Sequence, residues 1–100
     1  MNILKIDRGR LEVRTDRGIL IRTICSKDVV DAYFNDDESI IVITYDSGKV
    51  ELRKDNGVLI RTIVSSGAIS ARWHGKDLAI RLSNGKIELR KDNGVLIRTL

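Results

Sequence analysis

One sixteen-residue stretch occurs three times in this chain of 100 residues, and no other feature constrains its fold as tightly. Gly48 to Ile63 reads GKVELRKDNGVLIRTI, and Gly85 to Leu100 reads GKIELRKDNGVLIRTL, with aliphatic swaps at two of sixteen positions. Gly9 to Ile24 reads GRLEVRTDRGILIRTI and matches the middle copy at ten of sixteen. The copies start 39 residues apart (Gly9 to Gly48) and then 37 apart (Gly48 to Gly85). A period of this size marks a repeat architecture, in which each unit is one supersecondary element that buries its apolar faces against its neighbours. We divide the single domain into repeats 1–24, 25–63 and 64–100. The two-residue contraction falls in one loop, where Asn35-Asp36-Asp37-Glu38 gives way to His74-Gly75.

Run length, β-branched content and punctuation by Ser-Gly, Asn-Gly and Arg-Gly pairs predict strands throughout. The middle copy should hold four, over about Val29–Phe34 (A), Ser39–Tyr45 (B), Lys49–Lys54 (C) and Val58–Ile63 (D). The last copy repeats them over about Ala68–Trp73, Asp77–Leu82, Lys86–Lys91 and Val95–Leu100. The first has no A strand and begins in B, with strands over about Asn2–Ile6, Arg10–Thr15 and Ile19–Ile24. The chain contains no proline, which suits strands joined by tight glycine turns.

Keeping side-chain alternation in register types the turns. A two-residue Ser47-Gly48 turn would pair Tyr45 with Val50, Ile43 with Leu52 and Thr44 with Glu51. A three-residue Asp55-Asn56-Gly57 turn with a glycine bulge would pair Leu52 with Ile60 and Glu51 with Arg61. The same rule gives Lys5–Glu12–Arg22 in the first copy and Arg81–Glu88–Arg98 in the last. The expectation is a cross-strand ladder on one face of each unit, built on Glu12, Arg22, Glu51, Arg61, Glu88 and Arg98.

The middle copy, IIVITYDSGKVELRKDNGVLIRTI, is similar to the blades of tryptophan–aspartate-repeat β-propellers and their quinoprotein-like relatives. Such blades run through a B strand, a glycine turn, a C strand, a second glycine turn and a D strand ending in a basic-Thr-aliphatic triplet. Arg53-Lys54 and Arg90-Lys91 stand where that family carries its Trp-Asp pair, and Ser65-Ser66-Gly67 replaces its Gly-His pair. The resemblance implies an all-β partial propeller of about three four-stranded antiparallel blades, the first lacking its A strand. Propellers close with about 4–8 blades, so completion by oligomerisation is expected. Two copies would give a six-bladed dimer, and a larger ring is the alternative.

Composition excludes several functions. The apolar fraction is 42%, yet only 4% is aromatic, so the core must be aliphatic. The longest apolar run, Ile40 to Ile43, falls far short of the ~20 residues a membrane helix needs. Met1 to Arg10 holds Lys5, Asp7, Arg8 and Arg10 and lacks the apolar core of a signal peptide. With Cys25 the only cysteine, a reducing cytoplasmic setting is the expectation. Net charge is +4, but acidic residues interleave with the basic ones. Arg14, Arg53 and Arg90 recur and could line one rim. Glu12, Glu51 and Glu88 beside them, and the scarcity of aromatics for base stacking, argue against a nucleic-acid partner.

No Ser/His/Asp, Cys/His or paired-carboxylate set converges in the pattern, so no catalytic, cofactor or metal residues are assigned. His74 is the only histidine and cannot form a metal site alone. Cys25 corresponds to Val64, which suggests a small buried apolar residue. The candidate interaction loop is Asp36, Asp37 and Glu38, with His74 in the equivalent loop of the next copy, because variable loops at blade edges are where propellers carry function. The expected role is a non-enzymatic interaction module that closes head-to-tail into a homo-oligomeric ring and presents loops to a protein partner. A glycan- or ligand-binding multimer and a basic nucleic-acid-binding ring are the alternatives.

Overall fold

The computed structural model describes residues 2–100 and contains eleven strands and no helix among them. The first blade consists of β1 (Asn2–Asp7), β2 (Arg10–Thr15) and β3 (Leu20–Cys25). The second holds β4 (Val29–Phe34), β5 (Ile40–Tyr45), β6 (Val50–Lys54) and β7 (Leu59–Val64). The third holds β8 (Ala68–His74), β9 (Asp77–Leu82), β10 (Ile87–Arg90) and β11 (Leu96–Thr99). Each blade is an antiparallel meander, ordered β1-β2-β3, β4-β5-β6-β7 and β8-β9-β10-β11.

The cores lie between blades. Leu11, Val13 and Ile24 of the first blade meet Val29, Ile41 and Ile43 of the second. On its other face the second blade sets Val42, Val50 and Leu52 against Ala68, Ala71, Leu78 and Ile80 of the third. The second blade is therefore apolar on both sides, which explains the unbroken Ile-Ile-Val-Ile run of β5. A sheet with one wet face would alternate instead.

That two-sided burial overturns part of the expected register. In the second blade Val42 faces Leu52, Ile43 faces Glu51 and Thr44 faces Val50, one residue away from the pairing that alternation predicts. The loop is three residues, Asp46-Ser47-Gly48, closed by Tyr45 N–H to the Lys49 carbonyl at 2.9 Å, with Gly48 at φ 88°. A two-residue hairpin of the favoured type needs positive φ at both central positions, which Ser47 resists. The third blade repeats this with Ser83-Asn84-Gly85 and sets Glu88 opposite Ile80. Only the first blade makes the two-residue turn, at Arg8 (φ 53°) and Gly9 (φ 81°), and there Lys5 does face Glu12.

The last hairpin of each blade has the expected three-residue glycine turn. In the middle blade Lys54 N–H meets the Val58 carbonyl at 2.8 Å, and Gly57 stands at φ 94°. Beyond it, however, a bulge admits one extra residue. Arg53 faces Leu59 and Leu52 faces Arg61, leaving Ile60 unpaired. The first blade skips Ile21 and the third skips Ile97 in the same way. The ladder is thus corrected: Glu12, Glu51 and Glu88 face Thr23, Thr62 and Thr99, while Arg22, Arg61 and Arg98 face Val13, Leu52 and Leu89.

Candidate interaction surface: the seams between blades

With no arginine across the strand, each glutamate finds one along it. Side chains two apart on a strand share a face, so Glu12 takes a hydrogen bond from Arg14 Nε at 2.9 Å and Glu51 one from Arg53 Nε at 2.9 Å. Glu88 takes one from Arg90 Nε at 3.1 Å. The same guanidinium reaches into the following turn, from Arg14 Nη1 to the Gly18 carbonyl at 2.6 Å and from Arg53 and Arg90 to those of Gly57 and Gly94 at 2.8 Å. Each Glu-x-Arg pair therefore fastens a glycine turn to its own strand. Glu12 and Glu51 are each 1% exposed, which a carboxylate tolerates only when paired and hydrogen-bonded. The three arginines expected along a rim are committed to this internal work and do not form a free basic surface.

The bulge gives the other arginines a different task. Arg22 Nη1 crosses to the second blade and donates to the Asn56 carbonyl at 3.2 Å, and Arg61 Nη1 crosses to the third and donates to the Asn93 carbonyl at 2.9 Å. Backbone links join the blades at the other side of each seam. Val29 N–H meets the Gly9 carbonyl and Ala68 N–H the Gly48 carbonyl, both at 3.0 Å. The approach is so close that a Cβ on Gly48 would stand 2.5 Å from Gly67 N, and one on Gly9 2.8 Å from Asp28 N.

A polar cleft of about 380 Å³ opens on the first seam, lined by Cys25, Lys27, Tyr45, Lys49 and Arg53 among others. The Tyr45 hydroxyl donates to Glu51 and lies 3.1 Å from Cys25 Sγ, and Lys49 Nζ sits 4.6 Å from the Tyr45 ring centre. Burial, with Cys25 and Glu51 beside it, raises the Tyr45 phenol well above its ordinary pKa and keeps it protonated. The second seam has a cleft of about 350 Å³ in the same place, but Val64 and Leu82 replace Cys25 and Tyr45. Cys25 is half-buried and packs against the apolar cluster of the first seam, as its alignment with Val64 suggests, and it also lies within hydrogen-bonding reach of Tyr45. The signal was present in the copies: the cysteine and the tyrosine disappear together.

The candidate loop is brought against the third blade. Asp36 and Asp37 line a cleft of about 310 Å³ with Trp73, Lys76 and Asp92. Hydrogen bonds from the Ser39 hydroxyl and backbone lower the Asp37 pKa. Glu38, at φ 61°, accepts from Asn2 N–H at 3.2 Å and so ties the loop to the first blade. Trp73 Nε1 donates to the Tyr33 carbonyl at 3.1 Å. His74 is exposed opposite Asp77 and stands outside that cleft. Among the described residues no three His, Cys, Asp or Glu side chains converge as metal ligands would. None of them forms a helix long and apolar enough to cross a membrane.

No protein-family model matches the chain, and no curated protein does. Solved structures do. The C-terminal WD40 domain of Sif2 superposes with a TM-score of 0.77 at 15% identity, over 98% of this chain and 30% of that one. A chain of the mitotic checkpoint complex superposes with a TM-score of 0.75 at 17% identity, over all of this chain and 36% of that one. The chain thus spans about a third of the length of these structures. In fold it is a run of three β-propeller blades, similar to blades of these two structures.

Proposed function

We propose that the chain is a non-enzymatic interaction module that assembles head-to-tail with copies of itself into a closed ring, two copies supplying six blades. The carrying observation is that the two internal seams share their arginine-to-turn and backbone links, while matching faces of the outer blades stand uncovered. Val50 and Leu52 of the second blade are fully buried, whereas their counterparts in the third, Ile87 and Leu89, are only partly covered and Leu100 is 65% exposed. Ile3 of the first blade is 48% exposed, where Ile41 of the second is 0%. An apolar blade face of this kind is buried by another blade in every propeller. A head-to-tail contact repeats until the rotation closes. In a six-bladed ring the three-stranded first blades leave two gaps beside the axis.

Such a ring offers its loops to a protein partner in the reducing cytoplasm. The structural neighbour named for the mitotic checkpoint complex supports that reading, being itself part of a protein assembly. The Asp36-Asp37-Glu38 loop, with His74 in the next blade, is where such a partner should dock. The ring is tested by light scattering of the chain at micromolar concentration. A mass of about twice 11.3 kDa is expected, and a soluble monomer overturns the proposal.

A further inference from the structure

The two internal seams share one fastening. At each, an arginine of one blade's last strand donates to the middle carbonyl of the next blade's glycine turn: Arg22 to Asn56 at 3.2 Å, Arg61 to Asn93 at 2.9 Å. Two residues on, an isoleucine covers the turn's glycine, Ile24 Cδ1 at 3.7 Å and Ile63 Cδ1 at 4.0 Å from where a Cβ on Gly57 or Gly94 would stand. Both halves of this fastening also stand singly. Arg98 and Leu100 hold the third blade's copy of Arg61 and Ile63, and no turn lies before them. Asp16-Arg17-Gly18 holds the first blade's copy of the turn, and no atom lies within 4 Å of a Cβ on Gly18.

We propose that Arg98 and Leu100 of one copy clasp the Asp16-Arg17-Gly18 turn of a second copy, Arg98 donating to the Arg17 carbonyl and Leu100 covering Gly18. The inference rests on the self-assembly reading and names the residues that give it direction. Three observations support a second copy as the occupant. The fastening already exists twice within the chain, so the partner surfaces fit by repetition. Leu100 is held in place, its N–H meeting the Ile87 carbonyl at 2.8 Å. The receiving turn is also shaped in advance, because Thr15 Oγ1 accepts from Arg17 N–H at 3.3 Å and from Ile19 N–H at 3.1 Å. In the internal turns that task falls to the Asn56 and Asn93 side chains, which accept from Val58 and Val95 N–H at 3.0 Å.

Two departures make the intermolecular seam weaker than the internal ones. Arg17 puts a cation where the internal turns carry asparagine, so it repels the incoming Arg98. The Gly85 carbonyl, counterpart of Gly9 and Gly48, meets no donor because the first blade has no strand in the place of β4 and β8. The clasp therefore carries more of the association than its internal equivalents do.

Sedimentation of the full chain tests this with three variants. Arg98→Gln should raise the self-dissociation constant about a hundredfold, about tenfold for the charged-group hydrogen bond at each of the ring's two clasps, with an unchanged melting temperature in the dissociated state. Arg17→Asn should lower that constant. Arg61→Gln, at an internal seam, should lower the melting temperature instead. A dissociation constant unmoved by Arg98→Gln in a chain that still self-associates overturns the clasp and leaves the ring standing. A monomeric wild type overturns both. As a second measurement in a Cys25→Ser background, chains carrying Arg17→Cys are mixed with chains carrying Leu100→Cys and a short thiol-to-thiol linker. Heterodimers are expected, and their absence counts against the clasp.

Discussion

The first and second blades turn at equivalent glycines, on two residues in one and three in the other, and obtain different hairpins. Between β1 and β2 the chain turns on Arg8 and Gly9, both at positive φ, whereas between β5 and β6 it turns on Asp46, Ser47 and Gly48 with only the glycine there. A one-residue change of register exchanges the faces of a strand. In the second blade Ile43 and Tyr45 face the neighbouring blade, and the first blade presents Lys5 and Asp7 at those places. What decides is which faces must be buried. β5 is covered on both sides, while the outer side of β1 is bare and accepts charge.

The glycines offer the hardest way to break that comparison. Gly48→Ala forces a Cβ to within 2.5 Å of backbone at a positive φ, and should destabilise the chain by about 3 kcal/mol or more through clash and backbone strain together. Gly85→Ala has nearly the same φ with open space around it and should cost only about 1 kcal/mol. Urea titration of the two variants measures the gap, and equal losses would refute the tight seam. Next in size are the glutamates. Glu51→Gln removes a buried carboxylate that holds Arg53 and accepts from Tyr45, with an expected loss of about 2 kcal/mol. Glu88→Gln, its more exposed counterpart, should cost less than half as much on the same measurement.

Alkaline titration sharpens the contrast between the seams. The folded-state pKa of Tyr45 lies above its unfolded value of about 10. Its stabilising contribution is therefore complete below that pH and is lost as pH rises above it. Thermal melts between pH 9 and 11 should show the wild type losing stability more steeply than Tyr45→Phe. Parallel slopes would show that the phenol is not held protonated. The smallest effect belongs to Arg8. Arg8→Gly relieves a side chain from positive φ and should stabilise the chain by about 0.5 kcal/mol, whereas Ser47→Gly should destabilise it by a similar amount. Opposite signs in the melting shifts of these two variants would establish that the hairpins differ in solution.

Much of the fold was legible because repetition made three of the blade's strands visible three times and the fourth twice. The strand order, the missing first strand and the Asp55-Asn56-Gly57 turn all followed from glycine placement and β-branched runs. The register did not follow, and the reason is specific. Alternation locates a strand against its partner only when one face is wet, and β5 offers no wet face to read. The bulges at Ile21, Ile60 and Ile97 were hidden similarly, since an extra isoleucine in an apolar run changes no visible pattern. Glu12, Glu51 and Glu88 recur in the sequence, but the arginines they bind lie along the strand and not across the sheet, which strand alternation alone does not distinguish. The Cys25–Tyr45–Glu51 cluster lies within one repeat of the sequence but joins two blades, so its members become neighbours only where the seam closes.

The repeated bulge has a consequence for growth. Because it turns an arginine forward in every blade, each unit has a leading and a trailing side, and units can add in one direction only. Leading and trailing sides are alike in all copies, so nothing in the contact counts how many have been added. The wedge angle between neighbours alone decides whether the last unit meets the first. A substitution that opens this angle by a few degrees without touching the arginine would convert a discrete particle into a growing filament.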